Sequence, residues 1–180
     1  MILHRLGLIT KNQQGFTLIE VLVAMVVTGL ITGGVTMAIF QVFAGNARTS
    51  NHMTAVRQVQ NAGYWISHDT QMAQHVVADD DLGTPVRELV TLAWTEWAGD
   101  EHQVVYVLAD NKLQRDHYTN RATNPTADAT TFVANHIDNT NTSCVYDGGK
   151  LTLTVTASIG GFKPASETRV YEVVPRPSSG

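Results

Sequence analysis

The chain has 180 residues, 43% of them hydrophobic, and a formal net charge of −4 at pH 7. That length accommodates one domain with a real core plus an appendage, and the acidic balance disfavours nucleic-acid binding through bulk charge. The single cysteine, Cys144, excludes an intramolecular disulfide and reads as a buried or half-buried thiol.

Apolar residues are concentrated near the start. Residues 1–15 carry Arg5 and Lys11 and no acid, so their removal would take the net charge from −4 to −6. From Phe16 to Phe43 runs a stretch of 28 residues in which Glu20 is the only charge. As a helix that stretch would be ~42 Å long, more than the ~30 Å hydrocarbon core of a bilayer. Arg5 and Lys11 on its N-terminal side favour a cytoplasmic N-terminus and a single pass through the membrane. A cleaved secretory signal calls for a shorter apolar core. A plain signal anchor has the right length but leaves Glu20 unexplained, because a charge at bilayer depth is costly. A third reading is cleavage between Gly15 and Phe16. The new amine on Phe16 would then meet Glu20 of a neighbouring copy, and each charge would reduce the other's desolvation penalty.

The stretch "GFTLIEVLVAM" (15–25) resembles the class III signal of type IV prepilins and pseudopilins. The resemblance implies that a prepilin peptidase cuts after Gly15 and methylates Phe16. Glu20, the fifth residue of the mature chain, is then the assembly acid. It also implies partners: minor and major pilin-like subunits, the peptidase/methyltransferase and an inner-membrane assembly platform. Major pilins often have proline at the position held here by Met37, so its absence points away from a bulk filament subunit. Gly29, Gly33 and Gly34 allow three readings: tolerated small residues, close helix packing through the Gly29/Gly33 pair, or local melting in a filament.

Beyond Phe43 the apolar face narrows. Val56, Val59, Gly63, Ile66, Thr70, Ala73 and Val77 recur at helical spacing, and no proline occurs before Pro85. The pattern predicts one helix from about Thr17 to Val77, apolar all round at first and amphipathic later. His52, His68 and His75 read as solvated face residues of this helix, as does Asp69. A metal site built from His68, His75, Asp69 and Asp79 is disfavoured. "DDDLGTP" (79–85) is a breaker without the spaced acids of a calcium loop, and reads as a solvated loop.

About six strands should follow. "ELVTLAWTEW" (88–97) reads as a strand, with Trp94 and Trp97 on opposite faces. "HQVVYVL" (102–108) and "LQRDHYT" (113–119) form a hairpin around "ADNK". Residues 121–131 read as a polar loop and "FVANHID" (132–138) as a short strand or turn. "SCVYDGGKLTLTVTAS" (143–158) is a second hairpin, and "TRVYEVVP" (168–175) a last strand. The expected fold class is α+β: a long N-terminal helix packed on an antiparallel sheet. Tyr106, Leu113 and Arg115 are similar to the sheet segment of J-type minor pseudopilins and W-type minor pilins.

The expected organisation is a cleaved leader (1–15), a membrane or filament-core helix (16–43), an amphipathic helix (44–78), a sheet domain (79–175) and a tail (176–180). No nucleophile–base pair, CxxC, HExxH or phosphate loop is present, so no enzyme activity, cofactor or metal is expected. Lys112, Arg115, His117 and Arg121 form a loose basic cluster interleaved with Asp110 and Asp116. The resemblance implies a minor pilin or pseudopilin that initiates or caps a filament. Its alternatives are a J-type pseudopilin of type II secretion and a pilus-displayed adhesin or DNA receptor. The implied location is the bacterial inner membrane, then a periplasmic or extracellular filament.

Overall fold

The computed structural model describes residues 15–78 and 86–177. The leader before Gly15, the breaker at 79–85 and the last residues of the tail (178–180) lie outside the described residues. The chain divides between Phe43 and Ala44 into two compact units, and helix α1 (Leu18–Met72) contributes to both.

In the N-terminal unit, α1 is apolar on every side and its side chains are almost all exposed. It is long and apolar enough to cross a membrane, and none of its most apolar window is buried inside the protein. Two hydroxyls within it are internally satisfied. Thr28 donates to the Ala24 carbonyl at 2.7 Å and Thr36 to that of Thr32 at 2.8 Å, so neither would enter lipid unpaired. A Cβ at Gly29, Gly33 or Gly34 would meet nothing within 4 Å. Within one chain these glycines therefore relieve no crowding.

In the second unit, α1 lays Ala55, Val59, Ala62, Gly63, Ile66, Asp69 and Thr70 into the core. The rest is antiparallel strand: β1 (His75–Ala78), β2 (Val86–Thr95), β3 (Glu101–Ala109), β4 (Lys112–Thr119), β5 (Ala129–Asn135), β6 (Ser143–Asp147), β7 (Lys150–Ile159) and β8 (Ala165–Val173). They form a five-stranded meander, β1-β2-β3-β4-β5, and a three-stranded sheet, β6-β7-β8. The expected α+β architecture is therefore present, with two sheets in place of one. One apolar cluster joins Val59 and Ile66 of the helix, Leu92, Val104 and Leu108 of the first sheet, and Leu151, Leu153 and Val155 of the second. The sheets are tied at the β5–β6 connection. Ile137 bridges Ala157, and the buried Arg87 of β2 donates to the carbonyls of Asn139 and Thr142.

Both expected hairpins form, with turn residues where the backbone needs positive φ. Asp110 and Asn111 (φ 50 and 58) join β3 to β4; Gly148 and Gly149 (φ 57 and 77) join β6 to β7. Gly63 has a different task. A Cβ there would overlap the ring of Tyr171, whose hydroxyl donates to the Val59 carbonyl at 3.2 Å.

Several boundaries differ from expectation. The helix stops at Met72, not near Val77. Ala73 N–H closes the last turn on Asp69 and Thr70, and the β-branched His75–Ala78 segment pairs with β2 as an edge strand. His75 and His68 therefore share no helix face, and Val77 is exposed. Residues 129–131, read as loop, extend β5 because they pair with Arg115, Asp116 and His117 of β4. β2 ends at Thr95, so Trp97 lies in the following turn and not on the strand.

Candidate functional site

Gly15, Phe16 and Thr17 precede α1 in exposed, non-helical backbone. The bond between Gly15 and Phe16 is thus not locked into a hydrogen-bonded turn. Thr17 begins the helix: the Glu20 N–H donates to its carbonyl at 3.1 Å and reaches its Oγ1 at 3.3 Å. Thr17-x-x-Glu20 has the spacing of a capping box, a signal present in the sequence alone. Glu20 therefore has a local use, since an acid in the first turn complements the helix dipole. That use alone is available to any first-turn acid at a water interface. It does not explain a carboxylate flanked by Phe16, Val21, Ala24 and Met25 along one apolar groove of the helix. Phe16 and Glu20 lie on the same side of this segment, four residues apart, beside that groove.

The second arrangement was not foreseen. Asp69, expected on the solvated face of the helix, is 1% exposed. The guanidinium of Arg115 grips it from β4, with Nε donating to Oδ2 at 2.6 Å and Nη2 to Oδ1 at 3.2 Å. From β3 the Tyr106 hydroxyl donates to Oδ2 at 2.6 Å. Tyr106 and Arg115 are directly opposed across the β3–β4 ladder, so one register places both on the same carboxylate. Burial and the neighbouring Asp69 push the Tyr106 phenol well above its usual value, so it stays a hydrogen-bond donor. Burial disfavours the Arg115 charge, but its hydrogen bond to Asp69 and the Asp69 charge prevail and raise its pKa. Arg115 also covers the Trp65 ring, 5.4 Å from its centroid. The arrangement has the chemistry of a clamp: Tyr106 and Arg115 donate to one carboxylate, and Nδ1 of the exposed His68 lies 3.5 Å from it.

The basic cluster expected around the hairpin is not a free patch. Arg115 is committed to Asp69, Arg121 lies over Tyr118 and within 3.8 Å of Glu88, and Lys112 lies over Phe132. His117 turns inward instead, its Nε2 3.2 Å from Nδ1 of His102, with Trp94 against His102. Burial, Arg115 and His102, in that order, lower the His117 pKa. Among the described residues no three His, Cys, Asp or Glu side chains are grouped to hold a metal. Cys144 is a buried core residue.

Residues 10–40 match the family model described as the prokaryotic N-terminal methylation motif. No curated protein and no solved structure matches the chain. The matched segment contains Gly15, Phe16 and Glu20 and supports a type IV pilin or pseudopilin subunit; the helix that carries it is long and apolar enough to cross a membrane.

Proposed function

We propose that the protein is a low-abundance pilin-like subunit that helps initiate or cap a type IV pilus-like filament. In this reading it enters the inner membrane once, with its N-terminus in the cytoplasm. Prepilin peptidase removes residues 1–15 and methylates Phe16. Glu20 then pairs with the N-terminal amine of an adjacent minor or major subunit at the assembly platform. The observation that carries the reading is a methylation motif at 10–40 on a helix whose apolar surface the protein itself leaves uncovered.

Physical chemistry supplies the direction of assembly. A carboxylate in the groove formed by Phe16, Val21, Ala24 and Met25 is poorly solvated once the helix is in lipid. An ammonium brought alongside removes much of that penalty, and extraction into a helix bundle covers the remaining apolar surface. Met37 in place of the common proline supports the low-abundance role. The Tyr106–Arg115 pair on Asp69 gives a physical reason for the residues that resemble J-type and W-type subunits. Gly15→Ala should block cleavage, and Glu20→Ala should be cut normally yet fail to enter filaments. Normal incorporation of the Glu20 variant, measured by immunoblot of sheared filaments, would remove the pairing role.

A further inference from the structure

A second feature of the sheet domain is a cleft of about 840 Å³ at the C-terminal end of α1. That volume lies within the ~300–1,000 Å³ range of small-ligand sites. Its walls include Trp94, Trp97, Gln71, Gln74, Glu96 and Arg176. Trp97 is fully exposed (105%), so its indole is open to solvent. It is nonetheless held on a defined turn: Glu96 N–H donates to Asp100 O at 2.9 Å, Gly99 N–H to Glu96 O at 2.9 Å, and Gly99 takes φ 94. Trp94 is half-buried and backed by the parallel His102 ring at 5.6 Å. Glu96 lies 3.4 Å from His102 Nε2, and Gln74 is anchored through Oε1 by Thr95 N–H at 3.2 Å.

We infer that this cleft binds a neutral oligosaccharide, with a sugar ring stacked on Trp97. A sugar has an apolar C–H face for a flat indole and a rim of hydroxyls for planar polar groups. Gln71, Gln74, Glu96 and Arg176 are planar, and several can accept or donate at two points. The cleft is lined by one acid, Glu96, and one base, Arg176, so its formal charges balance and favour neither a polyanion nor a cation. The inference is independent of the assembly reading.

The test uses the full chain in a detergent without a sugar headgroup, followed by tryptophan emission. The probes are maltotetraose, cellotetraose and tetra-N-acetylchitotetraose, with oligothymidylate as the opposing arm. At least one oligosaccharide should give a saturable, salt-insensitive change. Trp97→Ala should weaken it by about tenfold or more and Trp97→Phe by only about threefold, because a flat face is kept. Trp97→Ala should enter filaments as the wild type does, which separates this site from assembly. Failure of all three sugars, unchanged binding by Trp97→Ala, or salt-sensitive binding of oligothymidylate in their place would overturn the inference.

Discussion

Replacing Asp69 with asparagine tests the clamp at its centre. The carboxylate is 1% exposed and accepts three hydrogen bonds: one from Tyr106 and two from Arg115. The amide keeps the volume but removes the charge and one acceptor. Arg115, whose side chain is 15% exposed, is left largely enclosed without a counter-charge. Breaking a buried ion pair from one side costs ~3–5 kcal/mol, and the partial exposure of Arg115 favours the low end, ~3 kcal/mol. For a domain of this size that is a fall of roughly 10 °C in melting temperature. Thermal unfolding of the full chain in detergent, followed by near-ultraviolet circular dichroism, measures it. Asp69→Asn combined with Arg115→Met should cost less than the sum of the two single changes, because the second removes the stranded charge. A loss under ~1 kcal/mol for Asp69→Asn, or strict additivity, would refute the clamp.

Gly63→Ala should destabilise the domain by ~1 kcal/mol or more despite alanine's better helix propensity, because the Tyr171 ring must leave its seat and its bond to the Val59 carbonyl. Tyr171→Ala in the same chain should remove that penalty, as chemical denaturation would show. His117 contributes a pH dependence. Its folded pKa lies below the ordinary value of 6.5, so its contribution is present above pH 6.5 and lost as pH falls through the folded value. Melting temperature should therefore drop on acidification from neutral pH, and His117→Gln should flatten that slope. Thr17→Ala should cost the helix start ~1 kcal/mol yet leave filament incorporation intact, whereas Glu20→Gln, which keeps the Glu20 N–H, should abolish incorporation. Equal defects in the two variants would assign Glu20 to helix capping.

Periodicity made the helix and both hairpins legible before the fold was known. Val59, Gly63, Ile66, Thr70 and Ala73 do face inward, and the Asp110–Asn111 and Gly148–Gly149 turns do close the hairpins. Helix length was misjudged because propensity cannot see a strand partner: His75–Ala78 leaves the helix for the edge of β2. The same limit hid residues 129–131, polar in composition but hydrogen-bonded to β4. The charge of Asp69 by itself suggests a solvated position. Its spacing from Ala62, Ile66 and Ala73 puts it on the inward stripe, and that conflict between an inward position and a charged side chain was the available signal. Its resolution needed Tyr106 and Arg115, more than thirty residues away in sequence. In the N-terminal segment the motif is plain in the sequence, and the Thr17 cap overlaps it.

Assembly as proposed requires a processed N-terminus presented to a neighbour's acid. Intact-mass and N-terminal peptide spectrometry of the protein from cells with an active prepilin peptidase tests this directly. The expected species begins at Phe16, lacks residues 1–15 and carries one added methyl group on the terminal amine. A chain that still holds its leader in those cells, or that is cut elsewhere in the apolar run, would contradict the account.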